Sequence, residues 1–483
     1  MKIRFGKTSI AVMVSLSSVL TLAPMTTAQA ASQPVTITFW DRHPELKTLM
    51  TSLVQKFEKT HPDIKVNFQE VPVSQETQQY EAAVSSNSLP DVFSLAGYTL
   101  PQFVSFGQLK SLNSIFTPKV QKSFVPGTFS EGYATMGKNV YQLPIYSPYH
   151  SSFLLFYNKQ VLKKYGIGVR PPKTWSQLLS MGKEIYQKSN GKVYGLSIGA
   201  AQNFSWTLYT AISQMATAIS PDANGGGNNV GMDFKTGQFD FSTPGIVGGV
   251  NFFKTMMTDH VLDPNSLNMS QLQAQAAFAS GKAAFFMQGD WGGIDLNQLG
   301  FGQFGVAPLP TKNGKPSYGG YIGINPEGFA VSAHTKHWTQ DKIFLKFLLN
   351  NMYSGIADQG LDPARDVSVR RPQFPQARSI LGIIRKNAVL LPNVYQRNPA
   401  TINVMVNFSN NQPKEDIGII TQGYLTGQVT NVSSALTQLS AQYNQVLANA
   451  IKGSKGAVTQ KDFEFPNWVP FKPYTSADYK KLK

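Results

Sequence analysis

Ser197 is the residue whose surroundings most closely match a catalytic motif. It lies in Gly195–Gly199, which fits the G-x-S-x-G pattern of a serine-hydrolase nucleophile elbow. An elbow needs a strand before the serine and a helix directly after it, whereas Val193–Ile198 predicts a strand that continues through the serine. Three histidines follow without a recognisable acid partner: His260, His334 and His337. We expect Ser197 to be structural, and a secreted serine hydrolase that uses it stays open as an alternative.

The sequence offers no set of residues spaced to hold a metal ion or a cofactor. It has six histidines, which are dispersed, and no cysteine. The lack of cysteine excludes thiolate metal sites, disulfides, cysteine nucleophiles and lipid attachment through an N-terminal cysteine. Only His334 and His337 lie close together, and we expect both at the surface near the start of a helix. We predict neither a metal ion nor a cofactor.

Polar and aromatic side chains follow two predicted strands at the point where each strand ends. Trp40, Asp41 and His43 end or follow the first alternating segment, and Tyr98 follows the apolar run Val92–Leu95. Ligands of α/β sheets bind beyond the carboxyl ends of the strands. These four residues are therefore candidates for a binding site.

The elements that would position these side chains follow from hydrophobic periodicity. Val35, Ile37 and Phe39 alternate as in a strand, and an apolar helical spacing follows until Pro62. A second alternating strand, a helix-compatible stretch and the Val92–Leu95 run come next. Strand, helix, strand, helix, strand predicts an α/β fold with a mainly parallel sheet flanked by helices.

The first thirty residues resemble an export signal rather than a part of the fold. A basic start with Lys2, Arg4 and Lys7 precedes an apolar stretch, and Ala28-Gln29-Ala30 offers a cleavage site. We expect residues 1–30 to be a signal peptide and the mature protein to be exported. The roughly 450 residues that follow exceed what one hydrophobic core usually serves, so we expect two lobes.

The chain is basic because carboxylates are scarce. Lys and Arg total 43 against 27 Asp and Glu, and all charged residues together make up 14% of the chain. The basic residues are scattered rather than clustered, which argues against nucleic-acid binding. A surface with few carboxylates has little to lose when they protonate, so acidic surroundings are our hypothesis for this imbalance.

Short motifs along most of the chain resemble the extracellular solute-binding proteins of ABC importers, of the maltose-binding-protein type. Each motif is weak alone, and the signal comes from their order and spacing. The motifs are Leu89-Pro90-Asp91-Val92, Leu143-Pro144, Leu155-Phe156-Tyr157-Asn158-Lys159, Pro172-Lys173-Thr174-Trp175, Tyr194-Gly195-Leu196, Phe278–Ala284, Gly289-Asp290-Trp291, Val306–Pro310 and Gly360–Arg365.

This resemblance implies a two-lobed periplasmic-binding-protein fold, each lobe being a mainly parallel sheet flanked by helices. We expect the N-terminal lobe to comprise residues 31–150 and 287–325, and the C-terminal lobe residues 153–283 and 330–483. The chain would cross between the lobes about three times, at His150–Phe153, Ala283–Met287 and Tyr321–Phe329.

The resemblance also implies which side chains contact the ligand. Trp291 matches the family's site position and offers a face for stacking on a sugar, and Trp206 would face the cleft. Arg365 supplies five fixed donors for hydroxyl groups. The further candidates lie beside Trp291 or on the crossing segments: Asp290, Tyr149, Ser151 and Tyr321. With Trp40, Asp41, His43 and Tyr98 they form the predicted ligand-binding set, and no catalytic residue is expected.

The function implied is capture of a sugar or oligosaccharide outside the cytoplasm and its delivery to the permease subunits of an ABC transporter in the membrane. The protein would be a non-enzymatic monomer in the periplasm or at the outer cell surface. A member of the same family that binds a peptide or a polyamine stays open as an alternative.

Overall fold

The structure is a computed structural model that describes residues 33–148, 153–222, 231–319 and 327–482. The strands are β1 (Val35–Asp41), β2 (Ile64–Glu70), β3 (Val92–Ser94), β4 (Thr135–Met136), β5 (Asn139–Val140), β6 (Leu143–Pro144), β7 (Phe153–Asn158), β8 (Tyr194–Ser197), β9 (Met232–Asp233), β10 (Gln238–Phe239), β11 (Ala283–Gly289), β12 (Phe304–Pro308) and β13 (Gly328–Val331). The helices are α1 (Lys47–Thr60), α2 (Glu76–Ser85), α3 (Leu100–Ser105), α4 (Pro118–Gln121), α5 (Lys159–Lys164), α6 (Trp175–Lys188), α7 (Ser205–Ala216), α8 (Pro244–Thr258), α9 (Gln271–Ala279), α10 (Gly292–Gln298), α11 (Trp338–Asn351), α12 (Tyr353–Asp358), α13 (Ala377–Asn387), α14 (Val394–Arg397), α15 (Thr401–Asn411), α16 (Ile417–Thr426), α17 (Val432–Gly453) and α18 (Ser476–Tyr479). Within these ranges, no helix combines the length and the apolar character that a membrane crossing requires.

The first sheet grows from the alternating segment near the start of the chain. Its order is β2-β1-β3-β13-β6. β1 pairs in parallel with β2 and β3, whereas β13 runs antiparallel to β3 and β6. Ile37 and Phe39 of β1 are fully buried, and Phe39 meets Phe344 of α11 with ring centroids 5.3 Å apart. The parallel arrangement predicted from hydrophobic alternation is confirmed for β1, β2 and β3.

The second sheet has the order β12-β7-β11-β8. β7 is antiparallel to both β11 and β12, and β11 is parallel to β8. All seven residues of β11 are buried, as expected for a strand with neighbours on both edges and helices on both faces. The helix α6 begins at Thr174, whose side chain forms the predicted capping box with Gln177. The two-lobed α/β fold is therefore confirmed, with one sheet in each lobe. The expectation that each sheet is mainly parallel is wrong for the second sheet, because two of its three strand pairs are antiparallel.

The strand pairing corrects the predicted division between the lobes. Residues 287–325 were expected in the N-terminal lobe, but β12 pairs with β7 in the second sheet. Residues from 330 onward were expected in the C-terminal lobe, but β13 pairs with β3 in the first sheet, and α11 packs against α1 and β1. We therefore call residues 33–148 and 327–365 the first lobe, and residues 153–319 and 376–482 the second lobe.

The crossing predicted at Ala283–Met287 is also wrong. That segment is part of β11 and stays inside the second sheet, because a strand paired on both edges cannot act as a hinge. A crossing lies instead between Arg365 and Gln376: the Gln376 side chain donates hydrogen bonds to the carbonyls of Gly302 and Phe304 beside the second sheet. The other two passages follow β6 and β12, and most residues of the predicted crossings there, 150–152 and 321–326, lie outside the described residues. The predicted signal peptide, residues 1–30, also lies outside them.

The C-terminal tail, residues 463–482, packs on the second lobe. Trp468 is buried and meets Phe234 with ring centroids 5.6 Å apart. Phe471 meets Tyr318, just before the passage back to the first sheet, at 4.9 Å. These contacts make the tail, for which the sequence indicates no function, a part of the second lobe's core.

Candidate functional site

A network of charged side chains follows the carboxyl end of β1. His43 Nδ1 lies 2.6 Å from Asp41 Oδ1, and His43 Nε2 lies 2.8 Å from Glu327 Oε2. Arg42 Nη2 donates to the same Glu327 oxygen at 2.9 Å, and Arg42 Nε donates to the Leu95 carbonyl at 3.1 Å. The loop after β1 is thus tied both to the end of β3 and to the segment that leads into β13.

The two carboxylates keep His43 protonated. Burial by itself lowers the pKa of His43, but the charge of Asp41 and the hydrogen bonds to Asp41 and Glu327 raise that pKa to about 10. A protonated imidazole donates from both nitrogens, which matches its two carboxylate partners. Asp41 and His43 were predicted to contact the ligand, but their side chains are only 1% and 4% exposed and neither lines the cavity described next. His43 instead shares the Glu327 carboxylate with Arg42, which does line the cavity.

A cavity of about 470 Å³ lies between the two lobes beside this network. Its first wall comes from the first lobe. Its second wall comes from α7, α17, the residue Phe241 just after β10, and the 409–417 segment, which runs from the end of α15 to the start of α16. The lining residues are Arg42, Glu76, Thr77, Leu95, Ala96, Gly97, Tyr98, Thr99 and Gln102 on the first wall, and Tyr209, Phe241, Ser409, Gln412, Pro413, Lys414, Asp416, Ile417 and Tyr443 on the second. Its volume is within the range of roughly 300–1,000 Å³ that is typical of small-molecule sites.

The charges that line the cavity are largely matched by neighbouring groups of the protein. Arg42 pairs with Glu327, and its Nη1 lies 3.9 Å from Glu76 Oε2. Burial raises the pKa of Glu76, and the charge of Arg42 opposes that rise. Asp416 accepts hydrogen bonds from the Ile419 amide at 2.7 Å and from Ser205 Oγ at 3.1 Å at the start of α16. A cavity with internally compensated charges is suited to a neutral polar ligand.

Two predicted tryptophans come together, although neither is among the residues that line the cavity. Trp206 and Trp291 have ring centroids 6.1 Å apart, and Phe153 contacts both, at 6.0 and 6.2 Å. Both tryptophans are half-buried. Trp206 lies one turn before Tyr209 on α7, and Tyr209 lines the cavity. Gly289 is required here because a Cβ at that position would overlap the Trp291 ring.

Of the other predicted residues that the structure describes, Tyr98 alone is placed in the cavity wall, where it is half-buried. Trp40 packs edge-on against Tyr80 at 5.8 Å in a small core of the first lobe and does not line the cavity. Asp290 is buried directly before Trp291. The predicted residues Tyr149, Ser151 and Tyr321 lie outside the described residues.

Arg365 has a different place from the predicted one. Its guanidinium carbon lies 5.0 Å from the ring centroid of Phe124 and 5.5 Å from that of Tyr353. Its Nη1 donates to the Leu349 carbonyl at 3.3 Å. These contacts place it in the packing of the first lobe, and it is not among the residues that line the cavity.

Ser197 and His337 each have hydrogen-bond partners other than one another. Ser197 is fully buried at the end of β8, and its hydroxyl donates to the Ala274 carbonyl at 3.1 Å. His337 Nδ1 lies 3.2 Å from Asp91 Oδ1, far along the chain from that serine. In the part of the chain that the structure describes, no group of three or more His, Cys, Asp or Glu side chains is arranged to hold a metal ion.

Sequence reasoning missed most of the second wall. Arg42 lay inside the predicted loop Trp40–His43 without being chosen, and Tyr209 could have been found as the residue one turn after Trp206. The 409–417 segment carries no motif, and it reaches the cavity only because α15 and α16 pack on α7 and α17. No local pattern could have identified it.

Three comparisons place the chain among known proteins. Residues 41–354 match the family model described as bacterial extracellular solute-binding protein. An uncharacterised ABC transporter extracellular-binding protein of Pyrococcus horikoshii is 24% identical over 388 residues, which cover 77% of this chain and 81% of that protein. The multiple sugar-binding protein of Streptococcus mutans is 22% identical over 355 residues, 69% of this chain and 76% of that protein. The maltose-bound structure of MalE3 from T. maritima has a TM-score of 0.63 and 19% identity, and the match covers 85% of this chain and 100% of that one. The family match spans well over half of the residues, so the chain belongs to the bacterial extracellular solute-binding protein family.

Proposed function

We propose that this protein binds a neutral saccharide between its two lobes, outside the cytoplasm, and delivers it to the permease of an ABC importer. The observation that carries the proposal is the cavity between the lobes, whose lining holds two basic and two acidic side chains, Arg42, Lys414, Glu76 and Asp416, and so has no formal net charge. A neutral polyol needs a site with hydrogen-bond donors and acceptors and no net charge. Arg42, Glu76, Thr99 and Gln102 offer both donors and acceptors.

Aromatic groups beside the cavity support a sugar rather than another neutral ligand. Tyr98, Tyr209 and Tyr443 line it, and Trp206, whose ring lies 6.1 Å from that of Trp291, is one turn before Tyr209 on α7. Flat rings pack against the C–H faces of a sugar, while the ring of hydroxyls is left to the polar groups. The relatives point the same way, since one is a multiple sugar-binding protein and one solved structure holds maltose.

The mechanism we propose is closure of the lobes on the ligand. Contacts across the cleft exist beside the cavity, where Gln102 meets Asn410, and at a second place, where Asn393 Nδ2 donates to the Glu131 carbonyl at 2.9 Å. A ligand that touches both walls binds the closed state better than the open state, and this difference in affinity shifts the population towards closure. The importer would then recognise the closed monomer. The protein itself would carry out no reaction.

The test is calorimetric titration with neutral saccharides, a polyamine and a mixed peptide pool, on the wild type and on Tyr209→Ala. The matched control is Tyr424→Ala, because Tyr424 is another half-buried tyrosine that does not line the cavity. A saccharide at millimolar concentration with micromolar affinity would add about 4 kcal/mol to the free energy of unfolding. We expect Tyr209→Ala to weaken saccharide binding and Tyr424→Ala to leave it unchanged. Binding of the polyamine or of peptides, with no response to any saccharide, would contradict the proposal.

Closure can be measured separately because the chain contains no cysteine. Cysteines introduced at the exposed positions Lys59 and Lys452, one in each lobe, accept a donor and an acceptor dye. We expect the energy-transfer efficiency to change when the saccharide is added. An efficiency that stays constant at saturation would refute closure as the mechanism.

A further inference from the structure

A hydrogen bond joins the two lobes at the edge of the cavity. Gln102 on α3 of the first lobe donates from Nε2 to Oδ1 of Asn410 on α15 of the second lobe, at 3.1 Å. Gln102 itself lines the cavity, and so do Ser409 and Gln412, which flank Asn410 in the chain. The bond therefore connects the two walls directly at this end of the cavity.

The orientation of the Gln102 amide follows from the start of α3. Gln102 Oε1 accepts hydrogen bonds from the Thr99 amide at 2.8 Å and from Thr99 Oγ1 at 3.0 Å, as one half of a capping box. Because the oxygen is committed to these donors, the amino group of the same amide faces away from the cap. It can then donate across the cleft to Asn410. The helix start thus presents a fixed donor to the opposite lobe.

Asn411, the next residue in the chain, does not make the contact with the first lobe that Asn410 makes. Asn411 donates from Nδ2 to the Asn407 carbonyl at 2.8 Å, within its own helix. Asn410 and Asn411 are both exposed at the end of α15, and they differ in whether the side chain reaches the other lobe. The chain therefore contains its own matched control.

The bridge closes one direction in which a ligand could extend. On the second wall, Tyr209 lies one turn after Trp206 on α7, and the Trp206 and Trp291 rings, 6.1 Å apart, suit further sugar units. A saccharide that continued past Gln102 would have to break the hydrogen bond to Asn410 and hold the two walls apart. A short saccharide leaves the bond intact.

We propose that the Gln102–Asn410 bridge is a specificity-determining contact that selects short saccharides over long chains. This inference rests on the proposed function, and it adds the size class of the ligand and the residues that set it. The short-ligand complex contains the bridge, whereas the long-ligand complex and the open, ligand-free protein do not. Removing the bridge therefore weakens the binding of short ligands and leaves the binding of long ones unchanged.

The experiment is calorimetric titration with three series of linear probes, from disaccharide to heptasaccharide: maltodextrins, cello-oligosaccharides and xylo-oligosaccharides. The variants are Asn410→Ala, Asn411→Ala as the control, and Asn410→Asp, which keeps an acceptor for Gln102 Nε2. For the series that binds, we expect wild type to favour its short members. We expect Asn410→Ala to lower the preference for short over long members about five-fold, which corresponds to one hydrogen bond of about 1 kcal/mol. Asn411→Ala and Asn410→Asp should keep the wild-type preference.

The outcomes separate the two proposals. If saccharides bind but Asn410→Ala retains the wild-type length preference, or Asn411→Ala loses it equally, the bridge does not select length and only this inference fails. If no saccharide of the three series binds to wild type, this inference fails, and the proposed function fails with it when the titrations described above find no other saccharide that binds. Thermal unfolding of each variant checks that the fold is kept, which the exposure of Asn410 leads us to expect.

Discussion

The protonated His43 should make the stability of the protein fall as the pH rises above neutrality. The pKa of His43 is about 10 in the folded protein, against 6.5 for a histidine in water. The free-energy equivalent of that difference is about 5 kcal/mol. Because the folded-state pKa is the higher one, this stabilisation is fully present below pH 6.5 and is lost as the pH rises through 10. Between these limits we expect the free energy of unfolding to fall by about 1.4 kcal/mol per pH unit.

The assay is urea unfolding of wild type and His43→Gln at several pH values from 6.5 to 9.5, a window below the usual titration of lysine and tyrosine. The slope should be present in wild type and absent in His43→Gln. Asp41→Asn should lower the pKa of His43, because the Asp41 charge is the largest influence that raises it. Its control is Asp63→Asn, which makes the same change at an exposed carboxylate.

Equal pH dependence in wild type and His43→Gln would refute the reasoning. So would an imidazole resonance of His43, identified by its absence from the spectrum of His43→Gln, that titrates near pH 6.5. A confirmed slope would agree in direction with the scarcity of carboxylates along the chain, since both favour stability on the acidic side.

Three further changes have defined outcomes. Gly289→Ala should displace the Trp291 ring, weaken saccharide binding several-fold by calorimetry and change the tryptophan emission spectrum, and unchanged emission would contradict the packing described here. Arg365→Ala should lower the free energy of unfolding by about 1 kcal/mol because its contacts with two aromatic rings are lost. Saccharide affinity should stay unchanged, and a loss of affinity would instead support the prediction that Arg365 contacts the ligand. Ser197→Ala should lower the free energy of unfolding by about 1 kcal/mol because its hydrogen bond to Ala274 is lost, and chromogenic esters should not be hydrolysed by wild type or variant; hydrolysis that this substitution abolishes would revive the hydrolase alternative.

The parts of the fold that sequence could predict are those fixed by local patterns. Alternation in β1 and β2, the helical spacing between them and the capping box at Thr174 were all confirmed because each depends on residues a few positions apart. The division between the lobes failed because it depends on distant pairing. β12 joins the second sheet by pairing with β7, about 150 residues earlier in the chain, and nothing in either strand announces its partner.

The candidate site shows the same limit at the level of side chains. Trp206 and Trp291 were chosen from the family resemblance, and the structure brings their rings together. Asp41 and His43 follow β1 as expected, but the sequence could not show that each finds a buried partner and so turns away from the cavity. Arg365 was predicted to contact the ligand because its guanidinium offers several donors. Its position is instead determined by packing against the rings of Phe124 and Tyr353.

The C-terminal tail has a mechanical consequence for the hinge. Trp468 and Phe471 press on Tyr318, and Tyr318 immediately precedes the passage that returns the chain to the first sheet. Trp468 and Phe471 therefore support the passage between the lobes that follows Tyr318, although neither residue lines the cavity. A chain shortened to Gly456 would keep every cavity residue, but we expect its two lobes to rotate less uniformly relative to each other. Scanning calorimetry should therefore show a broader unfolding transition, and dyes attached to the two lobes should show a wider distribution of distances. The affinity for the ligand would then depend on a segment that does not contact the ligand.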